Sequence, residues 1–246
     1  MFYVSLKIVI RNFLNNKGFS IINILGLTLG LSVSLLTFLW TYNELSFDKF
    51  NINFRHIVQF QQRIYFDKEK YTSDRCGGAI GPELSKKFPE IESFVRFGSL
   101  NGEILLSYIP SDKSQNRVNI IEKNGLAADS TVFGIFTYPR VRGNPVKALN
   151  MKNSIVLTER EAEKFFGHAD PIGKILMMNE LIPLEVTGVI RQIPVNSNIQ
   201  FSFLLPFGLL NELTSVNDSY EGTSYNTYFQ IKPMADYKAL NSSKPG

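Results

Sequence analysis

The stretch GHADPIGKI, which begins at Gly167, comes closest in this chain to a phosphate-binding loop. A Walker A loop has four residues between its glycines and a Ser or Thr after its lysine, whose hydroxyl holds the metal ion of the nucleotide. Five residues separate the two glycines of this stretch, and Ile175 follows Lys174. Pro171 also removes one of the backbone N–H donors that would hold a phosphate. These departures exclude nucleotide binding by this segment.

Few side chains in the sequence could act as nucleophiles or bind a metal ion. One cysteine, Cys76, and two histidines, His56 and His168, are present. These numbers exclude an intrachain disulfide framework and a histidine-rich metal site. We expect both histidines to lie on the surface, and the sequence indicates no base for Cys76. Because the motifs HExxH, GxSxG, CxxC and GxGxxG do not occur either, the sequence predicts neither an enzyme nor a bound cofactor or metal.

A run of charged residues follows Thr158. Thr158 and Glu161 have the T-x-x-E spacing of a helix capping box, and a glycine follows where such a helix would end. The spacing predicts a helix in which Glu159, Glu161 and Glu163 lie on a solvated face beside basic residues. This pattern is typical of a surface helix rather than of paired catalytic carboxylates.

The first predicted element of the chain is a strongly apolar segment. The chain has 246 residues, of which 44% are hydrophobic and 20% charged, and a net charge of +4. Its mean hydropathy of -0.03 conceals residues 18–43, which carry no charge. About 20 apolar residues in a helix suffice to cross the hydrocarbon core of a bilayer. We therefore predict a transmembrane helix over residues 18–43.

A cleaved secretory signal is the alternative interpretation of this segment. Its apolar region would span about 7–15 residues and end in small residues. The apolar run in this chain is longer, and no alanine occurs in the first 43 residues. Trp40 and Tyr42 lie near the end of the run, as in a helix that is anchored at the membrane interface. The pattern favours an uncleaved anchor.

The charges that flank the apolar segment predict its orientation. Lys7, Arg11 and Lys17 precede it without an acidic residue, and Glu44 and Asp48 follow it. The positive-inside rule therefore places the N-terminus in the cytoplasm and everything after residue 43 outside the membrane. The basic leader is expected to lie as an amphipathic helix on anionic headgroups, or else to be unstructured. The predicted domains are a cytoplasmic leader (1–17), the transmembrane helix (18–43) and an external domain (44–246).

Small residues recur at every fourth position within the apolar segment. Gly26, Gly30 and Ser34 share one face of the predicted helix. Small residues at this spacing allow a second helix to approach closely, so they are candidates for helix packing. Glycine is also common in membrane helices that have no such partner.

Beyond residue 50 the pattern alternates between short strands and short helices, which favours an α+β fold, or an α/β fold with a partly antiparallel sheet. Residues 192–211 are also free of charge, but two prolines and several asparagines indicate loop and strand rather than a second span. No basic run or nucleic-acid motif occurs. The predicted strands cover residues 56–65, 93–106, 116–122, 155–157, 175–178, 184–193, 201–205 and 227–231, and the predicted helices cover residues 82–88, 128–136 and the stretch after Thr158.

Several segments together resemble the MacB/FtsX-type permeases of ABC transporters. In that family an R-N-x-x-x-N-K stretch, as at Arg11–Lys17, leads into an apolar helix with N-x-x-G-L-x-x-G, as at Asn23–Gly30, and ELSFD follows, ending at Asp48. The stretches ADSTVF, VLTEREAEKFFG, DPIGK, VTGV and IPVNS occur in the order in which they recur in the periplasmic core domain of the family. The resemblance covers nearly the whole chain.

The resemblance implies one membrane span followed by a mixed α/β, MacB-like periplasmic core domain. In that domain Asp170, Pro171 and Gly173 belong to a structural turn between helix and strand. It further implies a permease subunit that relays the motion of a separate ATPase for export or extrusion of a substrate, without catalysis in this chain. The implied partners are a cytoplasmic ATP-binding subunit, a second copy through the membrane helices, and a periplasmic adaptor or outer-membrane protein.

The sequence departs from the family at its C-terminal end. Permeases of this type continue with at least three further membrane spans, and the sequence contains none of them. We interpret the chain as part of a longer permease or as a shortened form of one. The alternative is a single-pass, membrane-anchored periplasmic adaptor module without transport activity.

Overall fold

The computed structural model describes residues 11, 15–66, 69–110, 116–144, 148–214 and 222–233. The chain divides into an N-terminal unit and a core unit that begins at Asp48. The helices are α1 (Lys17–Leu45), α2 (Ile80–Lys87), α3 (Val132–Ile135), α4 (Glu159–Phe166) and α5 (Phe207–Thr214). The strands are β1 (Ile57–Gln59), β2 (Gln62–Phe66), β3 (Glu69–Ser73), β4 (Ile91–Ser99), β5 (Ile104–Tyr108), β6 (Val118–Glu122), β7 (Gly125–Ala128), β8 (Arg140–Gly143), β9 (Ser154–Thr158), β10 (Ile175–Met178), β11 (Ile182–Ile190), β12 (Phe203–Pro206) and β13 (Tyr225–Ile231).

Helix α1 is one continuous apolar helix of 29 residues, and none of its side chains is buried. At about 1.5 Å per residue it is about 43 Å long, which exceeds the roughly 30 Å of a hydrocarbon core. It is long and apolar enough to cross a membrane. The Thr37 hydroxyl donates a hydrogen bond to the Val33 carbonyl at 2.8 Å, so this polar group is satisfied within its own helix.

Eleven of the strands form one mixed sheet in the core unit. The order is β1-β13-β4-β7-β12-β9-β11-β10-β5-β6, and β8 pairs with the end of β11. The pairs β12–β7 and β11–β9 are parallel, and the other neighbours are antiparallel. Strands β2 and β3 form a separate hairpin.

The central strands are buried on both faces, because a hydrophobic core covers each side of the sheet. Every residue of β9 and of β12 is buried. Ile155 and Leu157 point into one core, together with Phe203, whereas Val156 and Leu204 point into the other. This double burial explains why both strands read as continuous apolar runs instead of alternating. Strand β13, near the sheet edge, does alternate.

Three helices pack their apolar residues onto these cores. Helices α4 and α5 cover the first core, and α3 covers the second. Phe165 and Phe166 provide the buried aromatic rings of α4, whereas Phe207 provides that of α5. Helix α4 ends at Gly167, whose φ of 56° suits glycine.

Two strands predicted as single elements are interrupted. The predicted strand 56–65 divides into β1 and β2, because the chain leaves the main sheet after Gln59 to form the hairpin. The predicted strand 93–106 divides into β4 and β5, and Gly102, with a φ of 93°, lies in the turn between them. The tertiary partners differ on either side of each interruption, since β4 pairs with β13 and β5 with β10.

Four elements are absent from the sequence prediction: β3, β7, β8 and α5. Strand β8 lies in a stretch whose Pro and Gly residues indicate turns, and it is held as a strand by pairing with β11. Helix α5 follows Pro206 directly, in a stretch predicted as loop and strand. The predicted cytoplasmic leader, residues 1–17, is described only at Arg11, Asn15, Asn16 and Lys17. Its other residues, Lys7 among them, lie outside the described residues.

Candidate functional site

The glycine-rich stretch after α4 is a turn that faces a strand. Lys174 donates its backbone N–H to the Pro171 carbonyl at 3.1 Å, and Gly173 donates to the Val186 carbonyl at 2.8 Å. Val186 donates in return to the Lys174 carbonyl at 2.9 Å. The Lys174 ammonium lies 5.0 Å from the centre of the Phe166 ring, within cation–π distance. The amides and the lysine that a phosphate would need are therefore engaged within the protein.

Asp170 lies at the start of this turn, on the surface. Its carboxylate accepts a hydrogen bond from the Ile172 N–H at 3.3 Å and pairs with Arg142 at 3.1 Å. The backbone hydrogen bond and Arg142 lower the pKa of Asp170. Together with buried Pro171 and with Gly173, whose φ is 76°, Asp170 defines the bend between α4 and β10.

Cys76 is buried within the core unit. Its backbone exchanges hydrogen bonds with Tyr225, and its thiol lies 3.3 Å from the Thr227 hydroxyl. Burial raises the pKa of the Cys76 thiol, so the nucleophilic thiolate is disfavoured. His168 is exposed after α4, and His56 is half-buried. Among the described residues neither imidazole has a hydrogen-bonded acid or nucleophile beside it, and no three His, Cys, Asp or Glu side chains converge as metal ligands.

The acidic face of α4 is not fully solvated, which corrects the sequence prediction for Glu161. Its side chain is only 4% exposed. The Lys164 ammonium donates to Glu161 at 2.7 Å and to Glu122, at the end of β6, also at 2.7 Å. The predicted capping box is wrong as well. Thr158 is the N-cap residue of α4, but its side chain makes no cap hydrogen bond. The spacing along the helix could not reveal Glu122, which covers this face from a distant strand.

The two carboxyl groups of this cluster have opposite titration behaviour. Burial raises the pKa of Glu161, and the negative charge of Glu122 adds to that effect. Burial also acts against the charged form of Glu122, but the hydrogen bond from Lys164 outweighs it and lowers the pKa of Glu122. Among the described residues the Glu161 Oε2 atom has no hydrogen-bond partner, so Glu161 is the member of the pair that binds a proton first as the pH falls.

Replacement of Glu161 by Gln is expected to stabilise the protein increasingly as the pH rises. A carboxyl group whose pKa is raised on folding stabilises most below its unfolded pKa, and this contribution is lost as the pH passes the folded pKa. The amide of Gln is neutral at every pH and does not titrate. Urea unfolding at pH 5 and pH 8 should show the free energy of unfolding of the variant rise relative to that of the parent. Glu159→Gln, on the exposed side of α4, should show no such trend, and an equal trend in both variants would contradict the assignment.

A buried arginine joins four segments of the core unit. Arg96 in β4 donates from Nε and Nη2 to the two carboxylate oxygens of Asp129, at 2.9 and 2.8 Å. Its Nη1 donates to the Gly78 carbonyl at 2.9 Å. The guanidinium carbon lies 3.8 Å from the centre of the Phe207 ring. This cluster was not predicted from the sequence. An arginine within the apolar stretch SFVRFGS could have indicated it, because a charged side chain in a buried strand requires a partner.

A groove of about 440 Å³ opens beside this arginine. It lies at the carboxyl ends of the parallel strands β7 and β12, next to the first turn of α5. Lys152 and Glu212 form an exposed ion pair across its lining at 2.7 Å. Both acidic groups of the groove, Asp129 and Glu212, are paired with cations, which does not favour acid–base chemistry there.

The candidate packing residues of α1 lie on one face of the helix. A Cβ added at Gly26 or at Gly30 would meet no atom of the described residues within 4 Å. Ser34 is exposed on the same face, and Trp40 and Tyr42 are 66% and 68% exposed near the C-terminal end. Arg11 and Lys17 are exposed at the other end.

Two family motifs that lie far apart in the sequence meet where the core unit begins. The backbone N–H of Asp48, which ends ELSFD, donates to the Asn196 carbonyl at 2.9 Å. Its carboxylate accepts hydrogen bonds from the Ser197 hydroxyl at 3.1 Å and the Asn198 amide at 2.6 Å. Asn196 and Ser197 belong to IPVNS. We call these four residues the Asp48 clamp.

Residues 20–243 match the family described as the MacB-like periplasmic core domain. The chain belongs to this family. The resemblance drawn from the sequence motifs is confirmed, and so is the α+β class with one N-terminal apolar helix.

Solved structures show the same fold for the MacB-like core domain. A domain assigned to a permease protein from Porphyromonas gingivalis is 20% identical, with a TM-score of 0.61 over 77% of this chain and 78% of that one. The periplasmic region of MacB from Actinobacillus actinomycetemcomitans is 15% identical, with a TM-score of 0.54 over 81% and 82% of the two chains. No curated protein matches the sequence.

Proposed function

We propose that this MacB-like chain is a permease subunit of an ABC transporter, in which α1 spans the inner membrane and the core unit lies in the periplasm. A separate ATPase in the cytoplasm drives the motion, and this chain relays it outward for export or extrusion of a substrate. The observation that carries the proposal is the combination of a 29-residue apolar helix with a MacB-like core domain directly after it. The charges at Arg11 and Lys17 favour a cytoplasmic N-terminus.

The Asp48 clamp supports a mechanical role. A relay requires that displacement of a helix be passed on rather than absorbed by a loose linker. Asp48 follows α1 by three residues and is bound to the 196–198 loop by backbone and side-chain hydrogen bonds. Asn51 extends this attachment, since its side-chain oxygen accepts a hydrogen bond from the Thr137 N–H at 2.9 Å. The first residues of the core unit are thus fixed to its interior.

The proposed topology and ATPase partnership can be tested together on the full chain in its native membrane. Leu181, which is 81% exposed, and Asn15 are replaced singly by Cys, and buried Cys76 provides a low background. Leu181→Cys should react with a membrane-impermeant maleimide in intact spheroplasts, whereas Asn15→Cys should react only after permeabilisation. A P-loop ATPase should copurify with the chain from mild detergent. Correct topology without any ATPase would favour a periplasmic adaptor module, and the reverse labelling pattern would contradict the proposed orientation.

We propose that two copies associate through the face formed by Gly26, Gly30 and Ser34. Small side chains on this face permit close approach of two helices. Gly26→Leu combined with Gly30→Leu should shift the chain from dimer to monomer, measured by light scattering in detergent. Thr28→Leu combined with Ser32→Leu places two leucines on the opposite face of the helix and should leave the dimer intact. Equal behaviour of the two variants would exclude this face as the contact.

A further inference from the structure

One end of the main sheet is covered on a single face. Strands β5, β6 and β10 direct their apolar residues into the first core or against it, and none of their residues belongs to the second core. On the opposite face of these strands, Ile109, Ile121 and Ile175 are 60%, 59% and 44% exposed. Among the described residues no element covers this face. Contiguous apolar surface of this kind marks interaction sites on proteins.

The strand register arranges the uncovered face in rows. Residues that are paired across neighbouring strands point to the same face, so the registers of β5 with β6 and of β10 with β5 and β11, continued by one residue, give each row four members. From β6 to β11, the first row is Arg117, Ile109, Ile175 and Glu185, and the second row is Asn119, Ser107, Met177 and Pro183. We call these eight residues the open face. Its first row has a cation at one end, an anion at the other and two exposed isoleucines between them.

Arg117 is held in place on the open face. Its Nε donates a hydrogen bond to the Asn119 side-chain oxygen at 2.8 Å. Its Nη2 donates to the Ser107 hydroxyl at 3.1 Å and to the Glu180 carboxylate at 2.6 Å. None of these three hydrogen bonds uses Nη1, and the Arg117 side chain is 39% exposed. A guanidinium that is already fixed loses little conformational freedom on binding, and arginine is enriched among the residues that dominate interfaces.

We propose that the open face is a contact between two copies of the core unit, packed face to face about a two-fold axis that runs along the strands between β5 and β10. Such an axis exchanges β5 with β10 and β6 with β11, and it keeps each row opposite itself. Arg117 then faces the partner's Glu185, and Ile109 faces the partner's Ile175. A cation meets an anion and an apolar side chain meets an apolar one, as a self-complementary contact requires. The contact is separate from the one proposed for α1 and does not depend on the membrane span.

The charge and the size of the open face favour a second copy that binds weakly. A partner surface of one sign would attract one end of the first row and repel the other, whereas a second copy matches both ends. From the spacing of strands and of residues along them, the open face covers about 300 Å². A standard stable interface buries about 800 Å² on each partner. The contact is therefore expected to be transient between free copies.

Crosslinking of the full chain in detergent traps a transient contact and tests the proposal. Ile109→Cys lies beside the proposed axis, where packed sheets are about 10 Å apart, so a bifunctional maleimide of that reach should join two copies. Buried Cys76 provides a low background. Val195→Cys, 92% exposed in the loop after β11, is the control outside the open face. We expect at least about ten-fold more crosslinked dimer with Ile109→Cys, because a specific contact raises the effective concentration of the two thiols. Equal yields at the two positions would overturn the proposal.

An exchange of charges distinguishes two-fold packing from other contacts through the same surface. Arg117→Glu or Glu185→Arg alone places like charges opposite each other and should lower the yield from Ile109→Cys at least about ten-fold. Both substitutions in one chain restore opposite charges across the axis and should recover the yield. Within one copy, residues 117 and 185 are three strand spacings apart, about 14 Å, so recovery cannot arise from their direct contact in the same chain. A low yield from the double variant, with an unchanged far-ultraviolet circular dichroism spectrum, would overturn two-fold packing and favour a different protein as the partner.

Discussion

Replacement of Asp129 by Ala is expected to destabilise the core unit by about 3–5 kcal/mol, which is a large part of the stability of a typical domain. The reason is the charge that remains. Arg96 and Asp129 have side chains only 9% and 17% exposed, and the substitution removes the carboxylate that accepts two hydrogen bonds from the buried guanidinium. The Gly78 carbonyl and the Phe207 ring stay beside Arg96.

Chemical unfolding of the full chain, followed by far-ultraviolet circular dichroism, measures this loss. Asp170→Ala is the matched control, because it also removes a carboxylate from an arginine. The Arg142–Asp170 pair is 45% and 67% exposed, and its ions are separated by 3.1 Å. Exposed pairs contribute at most about 1 kcal/mol. Similar losses for the two variants would show that Arg96 does not depend on Asp129.

Replacement of Phe203 by Ala is expected to cost about 3–5 kcal/mol, because it opens a cavity in the middle of the sheet. Phe203 is fully buried in β12, between β7 and β9. Its ring lies directly over Gly125 of the parallel neighbour β7, where a Cβ would stand 2.9 Å from the Phe203 Cε2 atom. The Cδ1 atom of Leu100 would stand 2.9 Å from the same Cβ, so glycine at position 125 is required by these two side chains and not by the backbone.

The contact between Phe203 and Gly125 makes the two substitutions interdependent. Gly125→Ala alone should cost about 1–3 kcal/mol through overpacking. In the double variant the cavity left by Phe203 receives the new methyl group, so the total loss should fall short of the sum by about 1 kcal/mol or more. Gly134→Ala, where a Cβ would meet nothing within 4 Å, should cost nothing. Strict additivity would indicate that the ring and residue 125 do not touch.

Elements with strong local signals follow the sequence prediction closely. Strand β10 has the predicted bounds, 175–178, and α1 extends the predicted 18–43 by one residue at its start and two at its end. Helix α4 ends at Gly167, as its sequence indicates. In each of these cases the hydrophobic run or the glycine determines the conformation within a few residues, so no distant contact is needed.

Elements whose conformation depends on partners distant in sequence cannot be predicted from the local sequence. Strand β8 has the composition of a turn and becomes a strand only through β11. The chain leaves the main sheet after β1, which separates β1 from the hairpin of β2 and β3. Among the functional candidates, the small-residue face of α1 and the 170–173 turn could be predicted from the spacing of their residues in the sequence. The Asp48 clamp and the Arg96–Asp129 pair join residues far apart in sequence, and a single sequence gives no measure of that proximity.

The edge of the main sheet has a consequence for biogenesis. Strand β13 lies between β1 and β4, so Ile57 pairs with Gln230 and Phe94 with Phe229. Both earlier strands must therefore wait, during synthesis, for a partner that is made after them. Until residues 225–231 arrive, β4 presents an open strand edge, which is prone to pair with other chains. The main sheet is accordingly expected to close at β4 only after residues 225–231 have been synthesised.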